Sequence, residues 1–307
     1  MHPMKTLLHR ELIENKISSI WLPLIIAAIL VVMVIAGLIW GHGATFSING
    51  IELSAGDQLS LALDESQGMV RALMSALALP FFIPLSFVVV FYLAHALFDE
   101  RKDRSILFWK SLPVSDRLTV GSKILTAVVV IPLVYWCALI ITQVLILTAF
   151  SVAFATQGGG LELALLNPVV IGGHALTALL ALLTHGLWLL PLYGWVLFCS
   201  SWAPRSPLMV AIAVIAIISL IMNLWQALQS MNLTGFSPLS WVAERVNNSP
   251  LSLGFRLSFD PPHPPVGQAE SVTELVGYFS SLSMWLGVGL GIIWLAGAVW
   301  MRQRANA

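Results

Sequence analysis

A chain of 307 residues that is 58% hydrophobic and only 10% charged cannot coat a water-facing globule, whose composition runs to roughly a quarter charged residues. A mean hydropathy of +0.88 makes lipid the solvent for much of it, and a formal net charge of zero argues against a nucleic-acid partner. The two cysteines, Cys137 and Cys199, both sit in apolar runs; they offer no disulfide framework and no metal-ligand spacing, and read as small core residues.

The first element lies within 1–16. Met4, Leu8 and Leu12 recur at helical spacing with Leu7 beside them, and Arg10, Glu11, Glu14 and Lys16 occupy the rest of the circle. That pattern predicts an amphipathic helix lying flat in the membrane interface; the plainer alternative is a solvated extension of the first span. A bilayer core of about 30 Å needs about 20 apolar residues of helix. Runs of that length occur at 17–40, 69–97, 124–155, 168–199, 208–228 and 278–301. Several exceed the minimum, so tilt or extension beyond the bilayer is expected. The first run is too long for a signal-peptide core, and Gly41-His42-Gly43 is a poor cleavage match, so it is read as retained.

Basic residues fix the expected orientation. Lys5, Arg10 and Lys16 precede the first run, six lie between the second and third, Arg205 follows the fourth, and Arg302 and Arg304 follow the sixth. Only Arg71, Arg245 and Arg256 fall on the other side. The positive-inside rule then puts both termini in the cytoplasm, which an even number of spans requires. The expected fold is an all-α polytopic membrane protein of six transmembrane helices, a single transmembrane domain over 1–307. Outside lie 41–68, a loop at 156–167 holding Gly158-Gly159-Gly160, and a long loop at 229–277. The last contains Asp260-Pro261-Pro262-His263-Pro264-Pro265, a rigid extended connector by composition. Within it 238–247, with Trp241, Val242 and Val246, predicts a short amphipathic helix at the interface.

The cytoplasmic loop 98–123 is the most informative segment. Asp99, Glu100, Arg101, Lys102 and Arg104 are followed by Ile106, Leu107, Phe108 and Trp109, and then by Leu112. Pro113 ends the short helix these residues predict, and Ser115 or Asp116 is placed to cap the next. An apolar ridge with charged shoulders between two long spans suits a groove on a partner protein; the alternative is a juxtamembrane anchor with Phe108 and Trp109 among headgroups.

The loop FDERKDRSILFWKSLPVSD resembles the region between the second and third helices of ABC-2-type transporter permeases, and the opening LLHRELIEN is similar to the start of that family. The likeness covers the six-helix layout and these two segments; elsewhere it is hydropathy alone. It implies that the loop forms a coupling helix seated on a separate ABC ATPase subunit, with Ile106, Phe108, Trp109 and Leu112 as the ridge and Asp99, Glu100, Arg101, Lys102 and Arg104 as its shoulders. It implies an interfacial connecting helix at the start, a second permease copy or homologue, and a bacterial cytoplasmic (inner) membrane setting. ATP and Mg would belong to the partner subunit, with no cofactor bound by this chain. The absence of G-x-x-x-x-G-K-[ST] agrees, since Gly121-Ser122-Lys123 lacks the upstream glycine.

Within the runs, His95, Gln143, His174, His185 and Asn223 are polar; each reads first as an interhelical hydrogen bond and second as a pathway contact. His174 and His185 lie eleven apart near one helix face, which leaves a haem-binding or other intramembrane redox protein as the alternative reading. No G-x-S-x-G or H-E-x-x-H favours an intramembrane enzyme, and no carboxylate falls at mid-membrane to suit an ion-coupled carrier. Pro80, Pro84, Pro132 and Pro191 predict bends, and Ser283, Gly287 and Gly291 form a small-residue stripe for close helix contact.

Overall fold

The computed structural model describes residues 3–40, 46–48, 51–53, 63–103, 115–155, 166–228, 237–251 and 272–304. Six of its helices are long and apolar enough to cross a membrane: Ile17–Trp40, Leu73–Lys102, Asp116–Ala153, Pro168–Trp188, Pro207–Trp225 and Leu282–Arg304. The chain is a multi-pass membrane protein. In order, the elements are α1 (Pro3–Glu14), α2 (Leu22–Trp40), β1 (Phe46–Ile48), β2 (Ile51–Leu53), α3 (Leu63–Ala96), α4 (Phe98–Lys102), α5 (Asp116–Leu125), α6 (Ile131–Ala155), α7 (Pro168–Trp188), α8 (Leu190–Trp202), α9 (Pro207–Leu228), α10 (Pro238–Asn247), α11 (Val272–Ser280) and α12 (Leu282–Arg304). The strands pair antiparallel, Phe46 opposite Leu53 and Ile48 opposite Ile51, within the segment 41–68 that the sequence placed outside the membrane. The glycine turn at 158–160 and the proline stretch at 260–265 lie outside the described residues.

Four helix boundaries differ from the hydropathy reading, each for a local reason. The second and third spans begin earlier or run longer because polar ends continue the helix: α3 starts at Leu63 and passes unbroken through Pro80 and Pro84. Helix α5 starts at Asp116, where Ser115 in an extended conformation accepts from Leu118 N, the predicted cap. The fourth run breaks at Leu189, because Pro191 has no N–H to continue the ladder. The sixth begins only at Leu282, since Ser281 Oγ accepts from Met284 N and caps α12, leaving Tyr278 in α11.

Two π turns share one cause. Ile17–Trp21 runs into Pro23, and Thr126–Val130, which joins α5 to α6, runs into Pro132. A proline ring clashes with the carbonyl four residues back, and widening the turn relieves the clash. In the first turn Leu22 N bonds to Ile17 O, and Pro23 cannot serve Ser18. Ser18 O accepts instead from the Tyr135 hydroxyl at 3.0 Å.

The chain packs as two units, one of 15–85 and 133–180, the other of 1–14, 86–132 and 181–307. The first has an apolar cluster of Val70, Met74, Leu147 and Val170. Buried in the same unit, Gln143 donates to Met74 O at 2.8 Å, and Trp136 donates to Ala175 O at 2.9 Å. In the second unit α8 lies closely along α12. A Cβ on Gly194 would stand 2.9 Å from Gly291 O, and one on Gly291 would stand 2.8 Å from Leu190 Cγ, so the small-residue stripe is consumed inside this unit. The apolar windows of α2 and α9 are each only 11% buried, which costs little where the surrounding medium is itself apolar.

Candidate functional site

The second unit collects five charged side chains at one end of its helices. Glu11 of α1 lies one turn from Leu7, so helical spacing buries both on one face, at 2% and 6% exposure. The sequence reading put Glu11 on the polar side of the circle and Leu8 and Leu12, with Leu7 beside them, on the face toward the membrane interface; Leu8 and Leu12 are half-buried. What draws Glu11 inward is Lys123 of α5, whose Nζ donates to Glu11 Oε1 at 3.0 Å, together with the Tyr92 hydroxyl, which donates to Oε2 at 2.7 Å. Lys123 Nζ also lies 2.9 Å from Glu100 Oε1 of α4, an ionic contact. Arg302, in the last turn of α12, donates through Nη1 to Glu100 Oε2 and through Nε to Asp116 Oδ1 at 2.8 Å.

Glu11, Glu100, Lys123 and Arg302 are all at least nine-tenths buried, and Asp116 is partly so. Charges so far from water survive only when paired, and here three carboxylates alternate with two cations in an open chain, Glu11, Lys123, Glu100, Arg302 and Asp116. The chain of pairs joins α1, α4, α5 and α12. It brackets 104–114: Glu100 stands just before that segment, Asp116 and Lys123 just after it.

A second set of bonds fixes α4. Leu97 breaks the helix, and its N–H and that of Phe98 both donate to Ser200 Oγ of α8, at 3.1 and 3.0 Å. In return Arg101 Nη2 donates to Ser200 O at 3.0 Å and Ala203 O at 2.7 Å, the free carbonyls at the end of α8. Each break is thus capped by the other helix.

The predicted shoulder residues therefore divide. Glu100 and Arg101 turn into the protein, while Asp99 and Lys102 are exposed. Arg104 and the ridge Ile106, Phe108, Trp109 and Leu112 lie outside the described residues. Among the polar residues of the spans, His95 is exposed with Nδ1 2.9 Å from Phe91 O, Gln143 lies 3.4 Å from His174 Nε2, and Asn223 is exposed on α9. His185 is buried, and its Nδ1 meets no partner among the described residues. Among the described residues no three His, Cys, Asp or Glu side chains gather as a metal site.

The sequence reading also missed Arg245. It lies on α10, whose limits are those predicted, and it is 3% exposed. The break at Leu189 explains its position: Leu192 N turns to Leu189 O, which leaves Trp188 O without its helical donor. Arg245 Nε supplies one at 3.0 Å, and Trp188 Nε1 donates back to Arg245 O at 2.7 Å. Nη1 donates to the carbonyl and hydroxyl of Ser283 at 2.9 and 3.0 Å. The guanidinium carbon sits 4.0 Å from the centre of the Trp188 ring and 5.7 Å from that of Trp241. Burial pushes the guanidinium pKa down from its usual value. The signal was legible: Trp241 and Val242 stand four and three residues before Arg245, which puts the arginine on the apolar face. For the ion network the signal was fainter, charges at the margins of apolar runs whose partners lie far away in sequence.

Comparisons of this chain with protein-family models, with curated proteins and with solved structures each return no match.

Proposed function

We propose that this chain is the membrane-spanning permease subunit of an ATP-driven exporter of the ABC-2 type. It sits in a bacterial cytoplasmic membrane with both termini in the cytoplasm, pairs with a second permease, and carries out no chemistry of its own. A separate ABC subunit binds ATP and Mg. The segment 104–114 docks on that subunit through Ile106, Phe108, Trp109 and Leu112, and the substrate is an amphipathic molecule suited to an apolar bundle.

The observation that carries this reading is the buried ion network on both flanks of 104–114. A loop that receives a mechanical stroke must be rigidly joined to the helices it moves, or the stroke is lost in loop motion. Here Glu100 and Asp116 tie the two flanks to Arg302 of the last span, and Lys123 ties them to α1. Ser200 and Arg101 add a fourth attachment, to α8. A mere headgroup anchor has no need of such bracing.

The test is co-expression with a candidate ABC ATPase subunit from the same source, followed by ATPase assay of the purified complex in lipid. We expect the two to co-purify, and the double variant Phe108→Ala, Trp109→Ala to lose coupled ATPase activity about tenfold or more, as deletion of paired aromatic anchors does. Full assembly with undiminished coupled activity in that variant overturns the reading.

A further inference from the structure

Helix α10 is tied down at both ends, lightly at its start and by a cluster of contacts at its end. At its start Leu239 N donates to Ser219 Oγ of α9 at 2.9 Å. At its end lies the Arg245 cluster, supported by the Tyr278 hydroxyl, which donates to Asn248 O at 3.1 Å, and by the edge-on contact of Tyr278 with Trp188. The guanidinium is seated on the backbone of Gly287: a Cβ at that position would overlap Nη2 and stand 2.6 Å from Cζ. Any residue but glycine there displaces the arginine.

The fastening is unusual in what it lacks. Among the described residues no carboxylate pairs with Arg245; its partners there are two carbonyls, one hydroxyl and two ring faces, and Nη2 meets no acceptor. A buried ion pair is costly to open, because each charge is stranded when the other leaves. Neutral acceptors are not stranded in that way, and a guanidinium that leaves them regains its hydration. The grip is therefore firm but reversible. Ser283 and Gly287 both belong to α12, so an axial shift of that helix moves the seat from beneath the arginine.

We propose that Arg245 is a bolt, a positioning residue that holds α10 closed as a lid over the ends of α7 and α12, and that α10 swings about its Ser219–Leu239 end when the guanidinium leaves Gly287. The bolt goes beyond the exporter reading and does not require it.

The experiment uses the full chain in detergent, with Cys137→Ser and Cys199→Ser as background. A Ser249→Cys reporter sits just past α10 at a position 4% exposed, and a separate Ser122→Cys reporter sits in the fully buried ion-network region. The rate of maleimide labelling reads local opening. In the background Ser249→Cys is protected. Arg245→Gln and Gly287→Ala should each raise its labelling about tenfold or more, with Arg245→Lys between, since an ammonium cannot reproduce the fork. Ser122→Cys should stay protected in all three. Unchanged Ser249→Cys labelling in both Arg245→Gln and Gly287→Ala overturns the proposal. So does labelling of both reporters together in every variant, which would mean that the arginine holds up the whole unit.

Discussion

Helix α12 meets a buried arginine at each end, and the two are held in opposite ways. At its C-terminal end Arg302 is neutralised by Glu100 and Asp116. Near its N-terminal end, Ser283 and Gly287 receive Arg245, whose partners among the described residues are all neutral. Ser283 and Arg302 are nineteen positions apart, about 29 Å of helix at 1.5 Å per residue. The difference is one of reversibility. A charge compensated by charge makes a joint that transmits force; a charge compensated by dipoles and ring faces makes a contact that opens.

The contrast is broken most directly at Lys123. Lys123→Met leaves Glu11, Glu100 and Asp116 with a single buried cation, and should cost about 3–5 kcal/mol, the usual consequence of stranding buried charge. Denaturant unfolding in one fixed detergent measures it. The double variant Glu11→Leu, Lys123→Met should be more stable than Lys123→Met alone; a double variant that is worse means that the two residues do not act as a pair.

A smaller effect sharpens the same point. Glu100→Gln leaves Lys123 with Glu11 and Arg302 with Asp116, so its cost should fall to about 2–3 kcal/mol, that of lost charge-assisted bonds. Arg245→Gln should cost less again, about 1–2 kcal/mol, because only neutral acceptors are abandoned. If Arg245→Gln proves the more damaging of the two, the distinction between joint and bolt fails.

The smallest effect belongs to Arg10→Ala. The Arg10–Glu14 pair is an i,i+4 contact on α1 with the Glu14 side chain 48% exposed, and exposed helical pairs contribute about 0.3–0.5 kcal/mol. That loss should disappear at 1 M salt, where the screening length falls to about 3 Å, while the Lys123→Met loss persists. The same unfolding measurement at two salt concentrations separates them.

Much of the architecture was readable along the chain. Six apolar runs gave six helices, Ser115, one of two candidates, capped α5, and Pro191, read as a bend, stands beside a break at Leu189. These are local properties: a run of apolar side chains, a hydroxyl ahead of a helix, a missing N–H. The π turns are equally local, each ending two residues before a proline, Pro23 or Pro132. The pairing within the ion network was not legible. Glu11 and Lys123 are separated by 112 positions and Glu100 and Arg302 by 202, and nothing in the spacing of either pair names its partner.

The sequence by itself determined the solvent, the number of spans and where several helices start or stop, because hydropathy and backbone donors act over a few residues. Tertiary structure alone decided which charges are buried and with whom. A carboxylate on a short amphipathic helix is a surface residue or a buried one according to whether a cation from a distant helix reaches it, and desolvation makes that a choice between pairing and exposure. For the same reason Gly287 reads as a packing glycine in the sequence and becomes the seat of an arginine only once α10 is laid across it.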